Sequence, residues 1–308
     1  MEIKIDAATA GKTIFTLTRR DMGLSSAILK RLKYREGGIL VNGNFVTVRY
    51  LLREGDILTL ATEDAPEDVS PYIFPVPLEL PVLFEDDWIT AVNKPPDMPS
   101  HPSLGHKDDT VANALAYRYA GKTYVFRPVN RLDRDTSGVM LTANSKTAAY
   151  KMFLAMQAGD IHKQYLAVTD GVPPQKSGVI TGYMHRAADS IIVRETCAET
   201  DEGAAYAETR YRVLHENGGH AVLLVSPVTG RTHQIRVQMA SIGCPLTGDS
   251  LYGTESADIA RHALHAVRTT FPHPRDGQAV TVFAPVPADM LALFENLGYT
   301  FSAADLET

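Results

Sequence analysis

The sequence predicts an α+β protein with a mixed sheet, preceded by a small, separate module. Three observations predict it. Short apolar runs alternate with helical patterns through residues 81–285. A Pro-rich, acidic stretch at 63–80 divides the chain. A short basic helix pattern and two hairpin signals precede that stretch.

The first module is read over residues 1–62. Ser25 is the expected N-cap of a helix over 26–35, with Ile28, Leu29 and Leu32 on its apolar face. Lys30, Arg31, Lys33 and Arg35 cover the rest of that helix. A strand at Ile39-Leu40-Val41 turns through Asn42-Gly43, where both central residues tolerate positive φ. Further strands follow at Phe45 to Val48 and Ile57 to Leu60. A basic helix beside a hairpin presents cations to phosphate, and equally describes a solvated helix face.

The segment 63–80 holds five acidic residues, no basic ones and four prolines, so it reads as an extended linker. In the large module, strands are expected over Trp88 to Asn93, Val139 to Ala143, Tyr165 to Thr169, Ala221 to Pro227 and Ala279 to Ala284. Helices are expected over Val111 to Ala120, Lys146 to Ala158 and Thr232 to Ile242.

Composition excludes several classes. Hydrophobic residues make up 44% and charged residues 21%, an ordinary globular balance. No apolar run approaches the ~18 residues of a spanning helix, and no membrane partner is expected. Cys197 and Cys244 lie far apart and form no metal or disulfide framework, which fits a reducing cytoplasm. The net charge of −6 taken whole speaks against a polyanion partner. Its distribution does not: residues 1–62 carry +4, residues 81–285 are nearly neutral, and the surplus acid sits in 63–80, 195–202 and 286–308. Those acidic segments are expected to lie away from any RNA-binding face.

Four segments carry candidate chemistry. Arg131-Leu132-Asp133-Arg134-Asp135-Thr136-Ser137-Gly138 places two carboxylates around an arginine. That pair suits glycosidase-like acid/base work, or Asp135 serves a turn and Asp133 an ion pair. Gly230-Arg231-Thr232-His233-Gln234-Ile235-Arg236 aims a guanidinium and a helix start at one spot, which suits carboxylate or phosphate. His233 there reads as a structural histidine or a base. Lys163-Gln164-Tyr165 enters a strand, with the tyrosine either core or a stacking face for a base. Arg261-His262-Ala263-Leu264-His265 spaces two histidines at i, i+3 without carboxylate or cysteine partners, so no metal is expected.

Together these segments resemble the RluA family of pseudouridine synthases. Arg131-Leu132-Asp133, Lys163-Gln164-Tyr165-Leu166-Ala167, Gly230 to Arg236, Gly248-Asp249 with Tyr252-Gly253, and Ala263 to Ala266 follow in that family's order. Asn93-Lys94-Pro95 and His101-Pro102-Ser103 also fit. Leu24-Ser25, Ile39 to Gly43 and Glu54 to Leu58 resemble the alpha-L RNA-binding module. Asn130, Asp97 and Gln238 depart from the family's usual residues and leave substrate identity open.

The resemblance implies a mainly antiparallel central sheet with flanking helices over 81–308, behind an RNA-binding module at 1–62. It implies conversion of uridine to pseudouridine in ribosomal or transfer RNA, with no cofactor and no metal; a monomer is the default expectation. Asp133 would be the nucleophile, Arg231 its partner, and Tyr165 the face stacked on the uracil. Arg131 would fill the space left by the flipped uridine. Lys163, His233, Arg236 and Leu264 would contact substrate, and Lys30, Arg31, Lys33 and Arg35 would hold RNA. The competing readings are a glycosidase and an RNA-binding assembly factor with a silent site.

Overall fold

The computed structural model describes residues 1–22, 24, 26–61 and 64–307, with the side chains of Ala27 and Ile28 also outside the description. The expected cap at Ser25 and the side chain of Ile28 therefore lie outside the described residues.

The N-terminal elements are β1 (Glu2–Lys4), α1 (Ile14–Thr16, continued by a π turn to Asp21), α2 (Ser26–Tyr34), β2 (Ile39–Val41), β3 (Asn44–Phe45) and β4 (Ile57–Leu60). The four strands form an antiparallel sheet in the order β1-β4-β2-β3. Asn42 and Gly43 both take positive φ, 50° and 78°, so the chain reverses tightly between β2 and β3. Leu29 and Leu32 of α2 are buried with Ile39, Val41, Leu58 and Leu60 in a core of their own. The second expected strand is shorter than read, because Val46 already leaves the ladder.

The following elements are β5 (Val82–Glu85), β6 (Ile89–Lys94), α3 (Val111–Arg118), β7 (Ser137–Ala143), α4 (Lys146–Ala158), β8 (His162–Asp170), β9 (Ser177–Arg186), β10 (Arg194–Cys197), β11 (Ala205–Asn217), β12 (His220–Pro227), α5 (Gln234–Ser241), β13 (Leu264–Pro272), β14 (Ala279–Phe283) and α6 (Ala288–Asn296). All ten strands join one sheet, ordered β10-β9-β11-β12-β8-β13-β7-β6-β5, with β14 beside β13. Every pairing is antiparallel except β13 with β7. At that parallel contact Gly138 has φ 113°, and a Cβ there would sit 2.2 Å from the Ala266 carbonyl oxygen. Only glycine allows the two strands so close.

The alternation of β8 and β12 sorts the two faces of the sheet. Tyr165, Ala167, Leu223 and Val225 face α5 and pack with Ile235 and Met239. Leu166, Val168, Val222 and Leu224 face α6 and pack with Met290, Leu293 and Phe294. The acidic C-terminus lies on that second face: Leu306 is buried there, and Arg212 donates to the carbonyls of Asp305 and Glu307. It is thus on the side of the sheet opposite Tyr165.

The acidic segment after residue 63 departs from the expectation. Asp64 pairs with Arg127, and Asp68 takes Lys146 at 2.8 Å and also Arg31 of α2. Leu78 and Leu80 pack against the core beneath the sheet. These acids lie against one of the basic residues of α2 and not away from it, because Asp68 is the carboxylate that Arg31 and Lys146 share.

Candidate active site

Asp133 sits on the loop between Asn130 and β7, and that loop is held at each carbonyl. Ser100 Oγ donates to Leu132 O at 2.8 Å, Thr136 N to Asp133 O at 3.1 Å, Lys94 Nζ to Arg134 O at 2.7 Å, and Arg261 Nη1 to Asp135 O at 2.9 Å. Lys94 is fully buried on β6 and also donates to Pro95 O and Met98 O. Burial pushes its ammonium down to about 7, against the pull of Asp135 and Asp133. Three carbonyl acceptors match the three protons of an ammonium, so we assign it the charged form. Below the loop, His262 meets Thr136 Oγ1 at 2.7 Å and His265 meets Ser137 Oγ at 2.9 Å. Burial pushes both imidazoles down to about 4. The i, i+3 histidine pair therefore braces the loop through hydroxyls.

The opposite wall is the start of α5. Gln234 folds the turn before it, accepting from Arg231 N and Thr229 Oγ1 while donating to Glu208 O and Thr209 Oγ1. That fold leaves Arg231 exposed, its Nε donating to Tyr206 O at 2.9 Å. Arg236, on the buried side of the helix, is the arginine that reaches the carboxylate, with Nη1 3.5 Å from Asp133 Oδ2. Arg231 was the expected partner, so the pairing is corrected to Arg236. Two other nitrogens of Arg236 hold Asp249 at 2.7 Å each. Asp249 is buried and also accepts from the Leu251 and Tyr252 amides. Burial raises the Asp249 carboxyl, but Arg236 outweighs it and holds it below the ordinary range. A bidentate buried pair thus fixes the plane of the guanidinium that faces Asp133.

His233 caps α5 with φ 57° and brings Nε2 to 3.9 Å from Asp133 Oδ2. Its Nδ1 lies 2.8 Å from the Tyr252 hydroxyl, which already accepts from Arg194 N. That hydroxyl proton then points to Nδ1, and we assign the ring proton to Nε2, toward Asp133. Burial lowers the His233 imidazole below its ordinary value, against the pull of Asp133.

Between the walls lies a cleft of about 640 Å³. Leu132, Tyr165, Ile235 and Leu264 give it an apolar floor. Burial, and then Asp133, push the Tyr165 hydroxyl up, so it keeps its proton. Arg131, Arg134, Lys163, Arg194, Arg231 and Arg236 line the rest, with Asp133 as the one carboxylate among the lining residues. Such a wall attracts a polyanion and isolates one acid.

Asp133, Tyr165, Arg131, Lys163, His233, Arg236, Leu264 and Arg231 therefore converge on one cleft. Lys30, Arg31, Lys33 and Arg35 do not: they lie on α2, where Arg31 meets Asp68 and Lys33 lies 6.0 Å from the Tyr34 ring centre. Sequence reasoning missed the working roles of Lys94, Asp249 and Tyr252, although their motifs stood out. It had no signal for Arg194, which the β9–β10 hairpin brings in.

The sequence profile described as RNA pseudouridylate synthase matches residues 89–241. An uncharacterized RNA pseudouridine synthase, YjbO of Bacillus subtilis, is 36% identical over 90% of this chain and 96% of its own length. The chain belongs to the RluA family of RNA pseudouridine synthases. Ribosomal large subunit pseudouridine synthase D of Vibrio cholerae is 36% identical, over 84% of this chain and 82% of that protein. The solved structure of human RNA Pseudouridylate Synthase Domain Containing 1 superposes with a TM-score of 0.56 at 29% identity, covering 68% of this chain and 84% of that one. This RluA-family enzyme isomerises uridine to pseudouridine in RNA. Among the described residues no cluster suits a metal ion, and no helix is long and apolar enough to cross a membrane.

Proposed function

We propose that Asp133 is the nucleophile of this synthase and that its substrate is ribosomal RNA of the large subunit. The observation that carries the first part is the lone carboxylate, 25% exposed, set among six cations and faced by a guanidinium that Asp249 fixes. The carboxylate is the form that can attack the ribose anomeric carbon, and the Arg236 guanidinium fixes its direction. Tyr165 stacks on the uracil, Leu264 and Ile235 support it, and Arg131 at the exposed rim fills the gap left by the flipped nucleotide. Lys163, His233 and Arg236 contact the bound nucleotide, and Arg231 meets its phosphates.

The second part rests on the relatives, several of which are named for the ribosomal large subunit. Residues 1–62 act as an alpha-L RNA anchor through Lys30, Arg31, Lys33 and Arg35, residues 63–80 join it, and residues 81–308 carry the chemistry. In this reading the enzyme works as a monomer in the cytoplasm. Pseudouridine mapping of ribosomal and transfer RNA from cells with and without the protein tests the substrate. A missing site in large-subunit RNA is expected; loss confined to transfer RNA overturns it.

A further inference from the structure

We propose that Lys163 is the base that removes the C5 proton of the uracil after the new carbon–carbon bond has formed. The inference rests on the reading of Asp133 as the nucleophile, because it needs the uracil in this cleft. Any isomerase of this type must break the C5–H bond, whatever route detaches the base. Asp133 is committed to the sugar in that reading. Tyr165 is a poor acceptor, since its buried hydroxyl holds its proton.

Lys163 and Tyr165 are two residues apart on β8 and therefore share a face, about 7 Å apart along the strand. Both line the cleft. The Lys163 amine lies under the turn that precedes α5, 3.7 Å from where a Cβ on Gly230 would stand. Most buried lysines are tied to a carboxylate or carbonyls, as Lys94 is to three. The Lys163 ammonium makes no hydrogen bond or ion pair among the described residues. The carboxylate of its cleft, Asp133, meets Arg236 and not Lys163. Burial pushes the Lys163 ammonium below its ordinary value, which favours a free lone pair.

The step balances. When C5 has bonded to the ribose C1′, it is tetrahedral and keeps its hydrogen. The C5–H bond breaks, and the proton passes to the Nζ lone pair. The bonding electrons form the C5=C6 double bond while the C6=N1 pair withdraws onto N1. N1 takes up one proton, from the new ammonium directly or through water, and Lys163 is neutral again. No proton is gained or lost overall.

The test uses the full-length enzyme and total RNA from cells lacking it, labelled at uridine C5 with tritium or deuterium. Lys163→Met and Lys163→Arg are each expected to slow tritium release at saturating RNA by about 100-fold or more, as loss of a general base does. RNA affinity falls far less than the rate, and the C5 deuterium isotope effect exceeds that of the wild type. Arginine fails because it holds its proton. Methylamine added to Lys163→Ala restores part of the rate. Full activity in Lys163→Arg, or a loss confined to affinity, overturns the assignment and makes Lys163 a phosphate contact. Asp133→Ala, run alongside, stays inactive in either case if the underlying reading holds; tritium release by Asp133→Ala defeats that reading instead.

Discussion

Two acidic segments of the molecule use the same side chain in opposite ways. Asp68, after the first module, is 9% exposed and spends both oxygens: one on Arg31, the other on Lys146 and the Ala65 amide. Burial raises its carboxyl, but Lys146, the Ala65 amide and Arg31 outweigh it and hold it well below the carboxylate range. Asp133 is 25% exposed and has one guanidinium contact at 3.5 Å and an imidazole at 3.9 Å. Its backbone is fixed by neighbours on both sides, yet its carboxylate faces open space. Asp68 is saturated by its partners; Asp133 is positioned through its backbone and left with a free oxygen face.

The largest expected effect comes from Arg236→Met. It strands the buried Asp249 carboxylate and removes the cation facing Asp133. A destabilisation of about 3–5 kcal/mol is expected from breaking such a pair, seen as a lowered Tm, with kcat falling at least as far as in any cationic variant of the cleft. Lys94→Met comes next: three carbonyls lose their donor, so about 2–3 kcal/mol of stability goes. The Asp133 loop loosens, and kcat should drop with little change in KM. A Lys94→Met enzyme of normal kcat would show that the loop does not need that anchor.

Acid titration separates the braces from the acid they support. His262 and His265 are neutral in the fold, with values near 4 against 6.5 in the unfolded chain. Between those values the unfolded chain binds more protons, so stability is full above pH 6.5 and falls as pH drops toward 4. Chemical denaturation across that window should show the decline, and His265→Gln should flatten it. Asp68→Asn removes the charge that holds the buried Lys146 and is expected to cost about 2 kcal/mol, to raise KM for long RNA and to leave kcat intact. Arg231→Ala should have the smallest effect, a modest rise in KM, because its guanidinium is exposed and bound to Tyr206 O.

That ranking of the two arginines shows where the sequence stopped being legible. Gly230-Arg231-Thr232-His233-Gln234-Ile235-Arg236 announced a site, and Asp133 was legible from its motif. Which arginine would turn inward depended on Gln234 folding the turn and on the left-handed His233, and both are set by contacts with β11. Helix Lys146–Ala158 was readable to the residue, since Ser145 caps it and Gly159 ends it in left-handed geometry. Strands β9 and β11 were not: Gly178 and Gly182 interrupt the apolar run of β9, and Glu208, Arg210 and Arg212 dilute the alternation of β11. The lone parallel contact of β7 with β13 joins residues far apart in the chain and has no local signature.

Tritium release from C5-labelled RNA by Asp133→Ala tests the central claim most directly. The account predicts no release above background while the variant folds and binds RNA as the wild type does. Release at a measurable catalytic rate by that variant would contradict it.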